Sequence, residues 1–200
     1  MSHSADWSRG LRAWLCSITE LFWRTGRDRS EPEITATDHP DGGPGRILLM
    51  RHAEKTGDEA DILLSPDGQK RAERLVTYIP ETFGRPDFIY AAARSKRSIR
   101  SIETMKPLAA ALGLELQHHI EDKDFKSLVR EIFSKPEYRG KLLVICWHHK
   151  KLPEIAALLG APEGSYPAFW PQDVFNLIID LRYDPETDRV PIVKQVIEPF

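Results

Sequence analysis

The sequence predicts an α/β fold: a three-layer sandwich with a mostly parallel central sheet, helices on both faces and an edge hairpin near the C-terminus. From residue 46 onward, short apolar runs alternate with helical patterns, as in parallel α/β sheets. The run at 141–146 lacks polar alternation, which is typical of a central strand covered on both faces. A turn-rich segment at 184–188 separates two late apolar runs and indicates the hairpin.

The elements follow in order along this part of the chain. Arg46–Met50 is the first predicted strand. Ser65 and Pro66 begin the first helix, because serine is a favoured N-cap and proline a favoured first helical residue. This helix is predicted to stop at Pro80. The later elements are a strand at 88–91, a helix at 98–112 capped by Gly113, a helix around 125–132, a strand at 141–146, a helix at 152–159 closed by Gly160, and strands at 174–181 and 192–197.

Composition limits the class of protein. A chain of 200 residues is long enough for one well-buried domain. The net charge of −2 gives no overall attraction to nucleic acid or to an anionic membrane. Cys16 and Cys146 form no metal-binding or disulfide pattern, so a reducing compartment and a cytoplasmic location are predicted. No apolar stretch approaches membrane-spanning length, and the N-terminus lacks the features of a secretory signal.

Three regions are visible along the chain. Residues 1–29 carry an amphipathic helical stripe, residues 30–45 are rich in Pro, Gly and acidic residues and form a predicted linker, and residues 46–200 form the predicted folded domain. The stripe contains Trp and Arg residues that suit a helix lying on a membrane surface. Docking on the domain itself or on a second subunit is the favoured interpretation, which leaves a homodimer open.

Basic and imidazole side chains follow three of the predicted strands. Because ligands bind at the carboxyl ends of strands in open α/β sheets, these groups are expected to meet. Taken alone, each group usually has a structural explanation: a solvent-exposed loop, a packed or surface histidine pair, or the solvent-exposed face of a helix. Their convergence in a slightly acidic chain predicts a bound anion, most simply a phosphoryl group. The groups are Arg51, His52 and Lys55, then Arg94, Lys96, Arg97 and Arg100, then His148, His149 and Lys150.

Four segments resemble the motifs of the histidine phosphatase superfamily, which includes the cofactor-dependent phosphoglycerate mutases. L-L-M-R-H-A-E-K resembles its Arg-His-Gly signature, with Ala53 in place of Gly. L-S-P-D-G with R-A and Leu75 resembles the next segment, and Arg100 with Thr104 resembles the second arginine motif. G-K-L-L-V-I-C-W-H-H-K resembles the strand that carries the second histidine. The resemblance covers roughly residues 46–180 and implies the same α/β fold.

The resemblance implies a phosphatase that works through a phosphohistidine on His52. It places Arg51, Arg100 and His148 around the phosphoryl group, where cationic donors stabilise the transition state. Lys55, Arg97 and His149 are predicted to bind substrate. Gapless alignment puts His148 rather than His149 in the catalytic position, and the Thr104 spacing favours Arg100. The scheme requires no metal and no cofactor.

The acid that protonates the leaving group is less well specified. Asp122 and Asp124 are the candidates, because the acidic stretch falls between the second arginine and the second histidine. Glu54 competes with them. The same carboxylates also suit the N-terminus of the following helix, where they favour the helix dipole.

The same residues allow two functions other than a phosphatase. A sugar-phosphate mutase is disfavoured, because Lys55-Thr56-Gly57-Asp58 lacks the Trp and Asn that follow the first motif in those enzymes. A non-catalytic phosphate-binding protein of the same fold is the main alternative. The expected partner is a phosphorylated small molecule or a phosphoprotein, and no nucleic acid is expected.

Overall fold

The computed structural model describes residues 43–58, 60–184 and 190–200. The amphipathic helix predicted at 1–29 and most of the linker predicted at 30–45 lie outside these described residues. The domain boundaries inferred from the sequence therefore stay predictions. None of the helices within the described ranges is both long and apolar enough to cross a membrane.

The described residues form one mixed sheet of six strands and four α-helices. The strands lie in the order β3-β2-β4-β1-β5-β6 across the sheet. The strands are β1 (Arg46–Arg51), β2 (Phe88–Ala91), β3 (Leu116–Gln117), β4 (Leu142–Trp147), β5 (Leu177–Arg182) and β6 (Ile192–Ile197). The helices are α1 (Pro66–Phe83), α2 (Arg100–Leu112), α3 (Phe125–Ser134) and α4 (Leu152–Leu158).

Strand directions match the predicted fold class. β1, β2, β3 and β4 pair in parallel, so their carboxyl ends share one edge of the sheet. β5 runs antiparallel to β1, and β6 runs antiparallel to β5 at the sheet edge. The fold class and the late hairpin are confirmed. The short strand β3 has no clear pattern in the sequence, since it contains only Leu116 and Gln117.

Helices cover both faces of the sheet, because side chains alternate sides along each strand. Leu48 and Met50 of β1 point toward the face that packs against Leu75 of α1 and Met105 of α2. Ile47 and Leu49 belong to the opposite core, which includes residues of α3 and α4 such as Leu128 and Ile155. The two cores lie on opposite faces of β1 and β4, and the strand residues that enter them are buried.

Helix α1 begins as predicted and ends later than predicted. The Ser65 hydroxyl accepts a hydrogen bond from the Gly68 amide at 3.1 Å, and Pro66 occupies the first turn. The predicted stop at Pro80 is wrong, because the helix continues to Phe83. Proline has no backbone N–H, so it removes one hydrogen bond from a helix. Here Phe83 is buried in the core, and the Gly84 amide donates to the Pro80 carbonyl, so the last turn is still stabilised.

Gly68 allows α1 to approach the segment that follows β1. A Cβ atom on Gly68 would lie 2.3 Å from the carbonyl oxygen of Glu54. We therefore expect Gly68→Ala to lower the free energy of unfolding by about 1–3 kcal/mol, because backbone must shift to remove the clash. Urea unfolding of the two proteins measures the difference.

Gly57→Ala is the matched control for this substitution. A Cβ atom there would have no neighbour within 4 Å. Its free energy of unfolding should stay within about 0.5 kcal/mol of the wild type, as is usual for exposed sites. Equal stability of the Gly68 and Gly57 variants would contradict the close approach of α1.

Candidate active site

The carboxyl ends of β1, β2 and β4 open onto one cavity of about 850 Å³. β4 lies between β1 and β2 in the sheet, so the three ends are neighbours. The structure thus brings together the three groups that the sequence placed at strand ends. The lining of the cavity consists of Arg51, His52, Lys55, Ala93, Arg94, Ser95, Lys96, Arg97, Ser98, Arg100, Glu121, Asp122, Lys123, His148, His149 and Lys150.

His52 lies at the floor of the cavity with only 3% of its surface exposed. Its Nδ1 atom is 2.7 Å from the carbonyl oxygen of Ala53. A carbonyl only accepts hydrogen bonds, so Nδ1 carries the proton and Nε2 keeps its lone pair. Burial, together with the charges of Arg51 and Arg100, lowers the pKa of His52 to about 3. At neutral pH the imidazole is therefore neutral, with its Nε2 lone pair free.

Arg51 is held by the backbone of the segment before β5. Its Nη1 donates to the carbonyls of Gln172 at 2.6 Å and Val174 at 3.1 Å. The centroid of the Phe175 ring lies 3.8 Å from the guanidinium carbon of Arg51. Burial lowers the pKa of Arg51 to about 10, so the group stays charged at neutral pH. Within the described residues, the buried Nε has no hydrogen-bond partner, and an anion would supply one.

This contact also corrects the start of the late strand. The sequence predicted a strand from Val174, but β5 begins at Leu177. Residues 171–175 instead wrap around Arg51, and their carbonyls satisfy its donors rather than those of a neighbouring strand. No sequence pattern marks such a contact, because any residue supplies a backbone carbonyl.

Arg100 is the first residue of α2 and is buried beside the cavity. Its Nε donates to the Leu63 carbonyl at 2.9 Å, and its Nη2 donates to the Asp61 carbonyl. The Thr104 hydroxyl donates to the Arg100 carbonyl at 2.7 Å and accepts from the Ala53 amide at 2.9 Å. Thr104 therefore ties Arg100 to the segment that carries His52. The predicted helix start at Ser98 is two residues early, because Ser98 accepts from the Arg100 amide instead.

The two adjacent histidines have different surroundings. His148 Nδ1 is 2.7 Å from a carboxylate oxygen of Asp122, and its ring centroid is 5.5 Å from that of His52. His149 also lines the cavity, but its Nε2 is buried without a partner among the described residues. Burial lowers the pKa of His149 to about 4. The Asp122 contact fixes the orientation of His148 only.

The candidate carboxylates are distributed unequally. Asp122 lines the cavity, whereas exposed Asp124 accepts from the Ser127 hydroxyl at 2.8 Å and is not part of the lining. Glu54 is engaged by Arg71 at 2.7 Å and also lies outside the lining. Glu121 does line the cavity, which the sequence did not single out. Its position next to Asp122 in the acidic stretch is the sequence feature that could have indicated Glu121 as a cavity residue.

The cavity is strongly cationic although the chain is slightly acidic. Eight Lys or Arg residues and two carboxylates line it, against a net charge of −2 for the chain. Lys55 and Arg97, predicted to bind substrate, are exposed at its opening. No group of three or more His, Cys, Asp or Glu side chains in the described ranges could hold a metal ion. The arrangement can bind an anion beside a neutral imidazole.

The low pKa of His52 predicts a loss of stability in acid. The folded-state pKa of about 3 lies below the ordinary value of 6.5, so the unfolded chain binds more protons between these values. The free energy of unfolding should fall as pH drops below about 6.5, by up to ~1.4 kcal/mol per pH unit from this group. Urea unfolding of wild type and His52→Asn at several pH values tests this. Identical slopes for the two proteins would contradict a buried neutral His52.

Comparisons with known proteins identify the fold. No protein-family model matches the chain, and no curated protein matches it at a significant level. Among solved structures, the protein histidine phosphatase SixA complexed with tungstate superposes with a TM-score of 0.59 at 12% sequence identity. The match covers 76% of this chain and 96% of SixA. The chain therefore has the same fold as this phosphatase, and the α/β class predicted from the sequence is confirmed.

Two further structures are similar. Phosphoglycerate mutase from Bacillus anthracis str. Sterne has a TM-score of 0.55 at 13% identity, covering 78% of this chain and 94% of that one. A mycobacterial glucosyl-3-phosphoglycerate phosphatase has a TM-score of 0.51 at 14% identity, covering 76% and 97%. Matches at this identity define the fold and leave the activity to be argued from the site.

Proposed function

We propose that this chain is a phosphatase that hydrolyses a phosphate monoester through a phosphohistidine intermediate on His52. The observation that carries the proposal is the Nδ1 contact to the Ala53 carbonyl, which leaves Nε2 as an unprotonated nucleophile. This nucleophile lies at the floor of a cavity whose cations suit a phosphoryl group.

The proposed reaction has two steps. First, Nε2 of His52 attacks phosphorus, the Nε2–P bond forms, and the P–O bond to the leaving group breaks. Arg51, Arg100 and His148 stabilise the charge on the equatorial oxygens as the phosphoryl group transfers. Water then attacks phosphorus and gives a proton back to the group that protonated the leaving oxygen, the Nε2–P bond breaks, and inorganic phosphate leaves. His52 returns to its neutral form.

The leaving oxygen needs a proton in the first step. Asp122 is the candidate we retain, because it lines the cavity and contacts His148 at 2.7 Å. A proton on this pair can pass to the leaving oxygen. Asp124 lies outside the lining, and the Glu54 carboxylate is occupied by Arg71, so neither is favoured.

The structural neighbours are consistent with this proposal. One is described as a protein histidine phosphatase with bound tungstate, an oxyanion with the shape of phosphate. Another is described as a glucosyl-3-phosphoglycerate phosphatase. A phosphorylated small molecule or a phosphoprotein is accordingly the proposed class of substrate.

Capture of the phosphoenzyme tests the proposal. Wild type is mixed with p-nitrophenyl phosphate in EDTA and quenched rapidly in base, where phosphohistidine survives and phosphoesters on serine are lost. Phosphate is expected on the peptide that contains His52, together with steady release of nitrophenol. Binding of phosphate without turnover would instead support the non-catalytic alternative. Turnover with phosphate on another residue would refute the assigned nucleophile.

A further inference from the structure

The cavity has two levels of positive charge. We call Arg51, His52, Arg100 and His148 the floor, and the first three of these are buried. The rim consists of six cations that line the same cavity and are all exposed: Lys55, Arg94, Lys96, Arg97, Lys123 and Lys150. The floor and the rim therefore offer different environments to different parts of one ligand.

The floor alone matches the charge of one phosphate group. A phosphate monoester carries about −1.5 to −2 charges at neutral pH. Arg51 and Arg100 supply two positive charges, and both side chains are fixed by backbone carbonyls. The transferring group is thus neutralised without any contribution from the rim.

The rim then has a large excess of charge. Glu121 is the exposed carboxylate in the lining, since Asp122 is occupied with His148. In the described part of the chain, none of the six rim cations makes a salt bridge. Like charges gathered around a concave opening repel one another and raise the local concentration of anions. This arrangement favours a ligand with negative groups beyond the one at the floor.

We propose that the substrate is a small molecule with at least two phosphate groups, one at the floor and the other bound by the rim. The inference rests on the proposed function, because it takes His52 as the site of phosphoryl transfer. Arginine and lysine are the side chains that bind phosphate oxygens most directly. A volume of about 850 Å³ lies in the range of small-ligand cavities, which favours a small molecule over a phosphoprotein.

Calorimetric titration tests this without turnover. The titrations use His52→Ala in EDTA, so that no ligand is consumed, with orthophosphate, tripolyphosphate, citrate and an acidic phosphopeptide as ligands. Tripolyphosphate is expected to bind at least about tenfold more tightly than orthophosphate or citrate, because several rim contacts add to those at the floor. Citrate distinguishes phosphate recognition from attraction to any polyanion.

Rim variants locate the effect. Lys96→Gln, Lys123→Gln and Lys150→Gln combined should weaken tripolyphosphate binding about tenfold or more, and orthophosphate binding by less than about threefold. The control combines Lys70→Gln, Lys106→Gln and Lys194→Gln, three exposed lysines outside the lining, and should preserve both affinities. Both sets lower the net charge of the chain by three, so a difference between them reflects the position of the charges.

Three outcomes would overturn the inference. They are equal affinity for tripolyphosphate and either orthophosphate or citrate, equal losses in the rim and control variants, and tighter binding of an acidic phosphopeptide than of tripolyphosphate. The last would assign the rim to a phosphoprotein. Because these titrations measure binding only, they stand apart from the phosphoenzyme experiment. If no phosphoenzyme forms but tripolyphosphate binding still depends on the rim, only the catalytic proposal is refuted.

Discussion

His52→Ala is expected to lower kcat for p-nitrophenyl phosphate by about 10⁴-fold or more, the order of loss seen when a nucleophile is removed. We expect His148 not to replace it, because the centroid of its ring lies 5.5 Å from that of His52. The reaction is measured in EDTA, so that contaminating metal contributes nothing. The phosphoenzyme should also disappear.

Matched variants separate chemistry from folding. His118 is exposed and lies outside the cavity lining, so His118→Ala should retain wild-type activity. His52→Asn keeps a donor for the Ala53 carbonyl but has no nucleophilic nitrogen, so it should be as inactive as the alanine variant. Circular dichroism and orthophosphate titration confirm that each variant is folded and binds anions. Substantial turnover by either His52 variant would refute phosphohistidine catalysis.

The sequence predicted the convergence at the strand ends for a physical reason. Apolar runs such as Leu48–Met50 and Leu143–Cys146 are typical of central strands, and parallel neighbours end at one edge of the sheet. Whatever follows these runs must then meet, as His52 and His148 do. Thr104 fits the same logic, because residues four apart on a helix share a face and its hydroxyl reaches the Arg100 carbonyl.

Other features depend on contacts that no local pattern encodes. Arg51 is oriented by carbonyls about 120 residues later in the chain, and a carbonyl has no residue signature. The sequence also does not distinguish Asp122 from Asp124, because both belong to one acidic stretch. A short 3₁₀ turn at Asp122–Asp124 directs the first toward His148 and leaves the second to Ser127. Tertiary packing thus determines which of the two carboxylates contacts His148.

The adjacent histidines give the sharpest remaining test of the site. We expect His148→Gln to lower kcat by about 10²–10³-fold, the typical loss when one preorganised donor to a transition state is removed. His149→Gln should lower it by less than about tenfold. The reason is the Asp122 contact, which fixes the ring of His148 and leaves that of His149 without a described partner.

Kinetics and stability together decide between the two histidines. Both variants are assayed with p-nitrophenyl phosphate, and their free energies of unfolding are compared, since His149 is partly buried. If the histidine roles are reversed, His149→Gln will show the large loss in kcat and His148→Gln the small one. Small losses in both would mean that neither imidazole contacts the transferring phosphoryl group. The charge at the floor would then be stabilised by Arg51 and Arg100 alone.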